Sequence, residues 1–186
     1  METDRNNNPD QKWYVLRCHS MSAAKVCAAL DGLDIEWFQP YSEAIVTENG
    51  RKVKRKVCLM KDYVFVHSTK DRLTELIEGK RIAAWFYYDL CHRVHHEPLF
   101  VRDKEMEDFM RVSTEYDRNP QVHRLEDMNL SAGTQIRILN GPFQGVEGTY
   151  IQLKRGARKE MVVKLSNFLT VSVKLTSDEL VEVLDG

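Results

Sequence analysis

The chain predicts an α+β protein: an N-terminal antiparallel sheet with helices over one face, followed by a small all-β module. Three observations carry this expectation. Up to about residue 88, short β-branched and aromatic runs alternate with helical apolar stripes in the order β-α-β-β-α-β. The stretch 117–131 (DRNPQVHRLEDMNLS) has neither period and is rich in Pro, Asn and charge, which reads as a linker. Beyond it, five β-rich runs follow within about fifty residues, a density that suits a barrel.

In order, residues 1–12 read as a frayed polar tail, and WYVLRC (13–18) has the content of a first strand. A helix follows, capped by Ser20 or Ser22, with Ala23, Val26, Cys27, Leu30 and Leu33 on one face and Gly32 near its stop. IEWFQP (35–40) reads as a second strand leading into a hairpin that turns at Glu48-Asn49-Gly50. The returning arm begins RKVKRK (51–56), five cations in six residues, and continues into the apolar strand KDYVFVH (61–67). Asp71 is the expected cap of a second helix buried through Leu73, Leu76 and Ile77 and ended by Gly79; AAWFYY (83–88) is a further strand. This order is the split βαβ, ferredoxin-like arrangement. A third helix is expected from an Asp103 cap to about Tyr116, with Met106, Phe109, Met110 and Ser113 on one side. The domains are therefore expected at 13–116 and 132–186, joined by the linker.

Alternation along 61–67 divides Val64 and Val66 from Tyr63 and Phe65. The compact valines suit the helix-covered face, which leaves the aromatic pair for a partner.

Composition limits the function. Hydrophobic residues are 42% and charged residues 30% of the chain, ordinary for a globular protein. The net charge is −1, so affinity for nucleic acid must come from a local patch, for which RKVKRK is the candidate. No apolar stretch resembles a secretory signal or a membrane span, which predicts a cytoplasmic protein. Cys18, Cys27, Cys58 and Cys91 have no CxxC spacing, so reduced core thiols are expected rather than disulfides or a zinc ribbon. Catalysis has little support. His92 and His96 could share a helix face, with Cys91 and His95 nearby, but no carboxylate motif accompanies them and Pro98 closes the segment. No phosphate loop or nucleophile elbow occurs, so neither an enzyme nor a cofactor or metal is expected.

The most specific segment is GTQIRILNGPFQGVEGTYI (133–151). Gly141-Pro142 sets a turn, Phe143 offers an apolar plug, and Gly145 and Gly148 allow geometry or close approach that a Cβ would obstruct. It resembles the KOW motif, with Ile136, Gly141, Phe143, Gly145 and Gly148 at the usual spacing, which implies an SH3-like β-barrel. The order WYVLRCHS, amphipathic helix, basic segment and DYVFVH resembles the N-terminal domain of NusG-type transcription elongation factors. Within that family, EPLFVRDKEMEDFMRV (97–112) resembles the paralogues that antiterminate capsular polysaccharide operons, with RfaH a more distant relative of similar role.

The resemblance implies a factor that binds the clamp helices of the largest subunit of bacterial RNA polymerase through an apolar surface. Tyr63 and Phe65 stand at the family's docking positions, with Tyr14 and Leu16 on the neighbouring strand. It also implies contact with the non-template DNA strand, or with nascent RNA, around the end of the first strand, here Arg17, His19 and Ser20. Arg17 stands where relatives often carry an aromatic. Arg51, Lys52, Lys54, Arg55 and Lys56 are candidates for sequence-independent phosphate contact. A ribosomal protein or Rho is the implied partner of the KOW domain. The rival is a ribosome-associated KOW protein, against which the net charge of −1 speaks.

Overall fold

The computed structural model describes residues 10–19, 22–88, 97–114, 121–124, 133–152, 159–165, 169–175 and 180–184. Their contacts group the chain into two compact units, Met1–Gln39 with Lys61–Asp103, and Pro40–Met60 with Lys104–Gly186.

The first unit is built on β1 (Lys12–Cys18) and β5 (Tyr63–Ser68), which pair antiparallel with Val15 opposite Phe65 and Arg17 opposite Tyr63. β2 (Glu36–Phe38) lies outside β5, while β6 (Ala84–Phe86) and β7 (Phe100–Val101) share the other side of β1. Every described pairing in this sheet is antiparallel.

α1 (Ala23–Asp31) buries Ala23, Val26, Cys27 and Leu30, four of the five residues that the helical period selects, and Leu33 packs partly buried against them. α2 (Lys70–Glu78) buries Leu73 and Leu76. Its cap differs from expectation: Thr69, in extended conformation, accepts the Arg72 amide at 3.3 Å. Asp71 instead sits in the first turn, where its charge complements the helix dipole. Both helices join Tyr14, Leu16, Cys18, Val64 and Val66 in one core, so the valine face is the helix-covered face. The other face is also closed over its centre, because Trp13, Val15 and Phe65 are buried. Within this unit Gln39 is buried and its amide nitrogen donates to the Tyr63 carbonyl at 2.8 Å.

In the second unit β3 (Tyr41–Glu48) and β4 (Arg51–Cys58) form a two-stranded ribbon of eight residue pairs. Its turn residues Asn49 and Gly50 have φ of 51° and 76°. Positive φ at both central positions is what a type I′ hairpin requires, and Asn-Gly adopts it readily. α3 (Asp103–Thr114) buries Met106, Phe109, Val112 and Ser113, whereas Met110 is only half-buried. Lys104 pairs with the buried Asp108 at 2.8 Å and reaches the Gly145 carbonyl at 3.3 Å; Arg111 donates to the Gln144 carbonyl at 2.6 Å.

The remaining strands form one antiparallel sheet. They are β8 (Gln121–Arg124), β9 (Thr134–Ile138), β10 (Glu147–Gln152), β11 (Lys159–Leu165), β12 (Leu169–Lys174) and β13 (Val181–Val183), in the order β13-β9-β10-β11-β12-β8. Two features depart from expectation. β8 arises inside the stretch read as a linker and pairs with β12 from Leu169↔Arg124 to Ser172↔Gln121. The expected closed barrel is not found: among the described residues β13 and β8 end an open ladder and do not pair. The ladder carries a charge row in which Arg137 on β9 meets Glu147 at 2.7 Å on one side and Glu182 at 2.9 Å on the other.

No helix among the described residues is long and apolar enough to cross a membrane.

Candidate nucleic-acid and partner interface

Two surfaces gather the residues that the sequence singled out. The first lies at the end of β1. Antiparallel register sets Arg17 between Tyr63 on β5 and Trp85 on β6. The Arg17 guanidinium stands 5.9 Å from the Trp85 ring centre, and the His19 ring meets the same indole edge-on at 4.8 Å. Tyr63 meets Tyr87 edge-on at 5.8 Å. Trp85 keeps 39% of its surface exposed, and Arg17 and His19 are exposed beside it. The arrangement offers a cation, an imidazole and an open indole, the chemistry that an unstacked base can use. Ser20, the third residue expected here, lies outside the described residues.

Trp85 was not singled out in advance. Strand alternation in AAWFYY sets Trp85 and Tyr87 on one face, a usable signal, but only the pairing of β6 with β1 brings that face beside Arg17.

The four residues expected to dock the polymerase do not make one surface. Tyr14 and Leu16 face the helix-covered core, because even-numbered residues of β1 share a face with Val64 and Val66. Tyr63 and Phe65 point to the opposite side. Phe65 is fully buried and Tyr63 half-buried, so Tyr63 alone of the four offers surface in this conformation.

The second surface is the β3–β4 ribbon. Directly paired residues share a face, so the register sorts the basic run by side-chain type. Lys52, Lys54 and Lys56 stand opposite Thr47, Ile45 and Glu43 on one face; Arg51, Val53, Arg55 and Val57 lie on the other with Glu48, Val46 and Ser42. All six residues from Arg51 to Lys56 are exposed. Arg55 clasps Glu48 with two hydrogen bonds, 2.9 and 2.7 Å, and Lys54 pairs with Glu43 at 3.2 Å.

Nothing described resembles a catalytic centre. Burial pushes the Cys18 thiol up to about 11, with Asp62 adding to the shift, so it is a neutral core thiol rather than a nucleophile. No group of three metal-ligating side chains occurs among the described residues. Cys91, His92, His95 and His96 lie outside them.

The KOW residues form a compact corner. Phe143 and Ile136 are both buried, and the Gly145 amide donates to the Ile138 carbonyl at 2.8 Å, closing the loop from Leu139 to Gln144. Gly148 has no room for a side chain: a Cβ there would stand 2.7 Å from the Val162 carbonyl oxygen.

A search of curated proteins finds no match to this chain. A family comparison does: the family described as "Transcription termination factor nusG" matches residues 11–110, more than half of the chain, spanning β1 to α3. The chain belongs to the NusG family.

Proposed function

We propose that this protein is a specialised transcription elongation factor, working in the cytoplasm, that binds bacterial RNA polymerase and promotes antitermination and processive elongation. The observation that carries the reading is the NusG match over 11–110, which includes the end of β1 and the β5 strand. Factors of this family are not enzymes, so the protein acts by binding alone. The narrower assignment to polysaccharide operons rests on the likeness of 97–112 to the capsular paralogues.

In this reading the clamp helices of the largest subunit meet the open end of the sheet, around Tyr63 and Tyr87, and the non-template strand meets Arg17, His19 and Trp85. Residues 13–116 act as the polymerase-binding domain. The part from 132 onward recruits a ribosomal protein or Rho.

The test is in vitro transcription with the host polymerase on a polysaccharide-operon leader. Read-through of pauses and terminators rises with the protein present. An unchanged transcript-length profile at saturating protein overturns the proposal.

The β1-end cluster makes a separate prediction. Base–aromatic stacking is worth about 1–3 kcal/mol per base, so Trp85→Ala weakens binding of single-stranded leader DNA by roughly tenfold or more. Anisotropy titration with cognate and scrambled strands reads this. A loss confined to polymerase lacking nucleic acid assigns Trp85 to the protein interface instead.

A further inference from the structure

Gln39 is out of character for its position. It follows directly on β2 and is only 4% exposed, although glutamine is a residue type found mostly at the surface. Burying an amide without partners is costly, and both ends of this one are engaged. Its Nε2 group donates to the Tyr63 carbonyl at 2.8 Å, and its Oε1 accepts from the Cys27 thiol of α1 at 3.7 Å. Donation from the thiol selects the oxygen end of the amide and so turns the nitrogen toward β5.

The need for a side-chain donor here follows from the register. β2 pairs with β5 as Glu36↔His67, Trp37↔Val66 and Phe38↔Phe65. Continued two steps further, the same register sets Pro40 opposite Tyr63, and proline has no N–H to give. β2 ends at Phe38, and the Gln39 side chain supplies a donor where the backbone has none. On the other side the start of β5 is held by β1: Tyr63 pairs with Arg17, and the Cys18 amide donates to the Asp62 carbonyl at 2.7 Å. Tyr63 is the first residue of β5, where a strand is prone to fray, and it is anchored from both neighbours.

We propose that Gln39 is a positioning residue for polymerase docking: by holding the Tyr63 backbone it sets where the Tyr63 ring stands for the partner. The inference rests on the reading above that the clamp helices meet this end of the sheet. Of the four residues expected to dock, Tyr63 alone keeps surface, so the direction of its one Cα–Cβ bond matters more than it would on a broad aromatic face. The ring has a reference point in Tyr87, which it meets edge-on at 5.8 Å. Without the Gln39 donor the Tyr63 carbonyl turns toward water, because a buried carbonyl seeks a new partner, and rotation of that peptide plane shifts the adjoining side chain.

The experiment is a double-mutant cycle on the full chain. Gln39→Met keeps nearly the same length and volume and removes the donor. It is combined with Tyr63→Ala, and affinity for a clamp-helix fragment is measured by titration calorimetry. Tyr63→Ala is expected to weaken binding by roughly thirtyfold, as loss of an anchor does. Gln39→Met is expected to weaken it by about fivefold, within the range of coupled neighbours, and to cost nothing further in the Tyr63→Ala background. An equal loss in both backgrounds shows that Gln39 supports the sheet as a whole and overturns the positioning role, as does no loss in either. If Gln39→Met is unfolded at the assay temperature, Cys27→Ala takes its place in the cycle with the same outcomes, since it releases the amide without removing it.

A second readout needs no partner. In protein labelled with 3-fluorotyrosine, the Tyr63 resonance, assigned by its absence from Tyr63→Phe, is expected to move or broaden in Gln39→Met, while that of Tyr150 in the other unit stays in place. An unmoved Tyr63 resonance overturns the positioning role. Failure of the wild type to bind the fragment overturns the polymerase reading and the inference with it, and it is seen before any variant is compared. Wild-type binding without coupling between Gln39 and Tyr63 overturns the inference alone.

Discussion

Phe65→Ala will lower the stability of the folded chain by about 3–5 kcal/mol, the usual cost of emptying an aromatic core site. Phe65 has no exposed surface and sits on β5 between Val15 of β1 and Phe38 of β2, an interior strand of its sheet. Neighbours held in two hydrogen-bonded ladders collapse poorly into a cavity, which places the loss toward the upper part of that range. Denaturant unfolding followed by tryptophan fluorescence is the measurement, since Trp13, Trp37 and Trp85 all belong to this unit. The same variant separates two roles for the residue. A core residue costs stability and leaves the affinity of the surviving folded fraction for a clamp-helix fragment unchanged. Retained stability with lost affinity would instead show that this face opens to the partner.

Gly148→Ala is the second large effect expected, about 1–3 kcal/mol of destabilisation by overpacking. An added Cβ meets the Val162 carbonyl oxygen at 2.7 Å, its carbon at 3.2 Å and the Met161 side chain at 2.9 Å. The methionine can turn away; the carbonyl cannot, because it belongs to β11, which pairs with β10 on one side and β12 on the other. Relief therefore requires the two strands to part. No tryptophan lies beyond residue 85, so fluorescence is blind here. Amide hydrogen exchange across Thr149–Gln152 and Lys159–Val162 is the suitable readout, with faster exchange expected in the variant. Exchange rates equal to wild type would mean that the ladder shifts without cost.

What was legible in advance depended on the range of the interaction. The α1 stripe and the Asn49-Gly50 turn were readable because a helix face and a type I′ hairpin are set by residues a few positions apart. The division of Val64 and Val66 from Tyr63 and Phe65 was readable for the same reason. Whether the aromatic side of that strand stays open was not, since its cover is a matter of tertiary packing. Four-residue β8 and two-residue β7 are too short to carry a period. The expectation of five strands after the linker was met, but closure of a sheet is a relation between its first and last members and leaves no local trace. The candidate site divides in the same way. Arg17, His19 and the basic run were found from residue type, whereas the pairing of Arg17 with Trp85 and the sorting of lysines from arginines emerge only from register.

The β3–β4 ribbon, with five cations against two carboxylates, has a consequence for how the molecule behaves in bulk. With an isoelectric point near 6.6, the chain is a weak anion at neutral pH. Taking away the ribbon's excess of three positive charges leaves the remainder four units negative. In electrophoresis the molecule therefore drifts toward the anode, while on a sulfated polysaccharide column the ribbon holds it against that sign, because attraction beyond about 10 Å is screened at ordinary salt. Its isoelectric point and its chromatographic retention report on two different length scales of the same charge distribution.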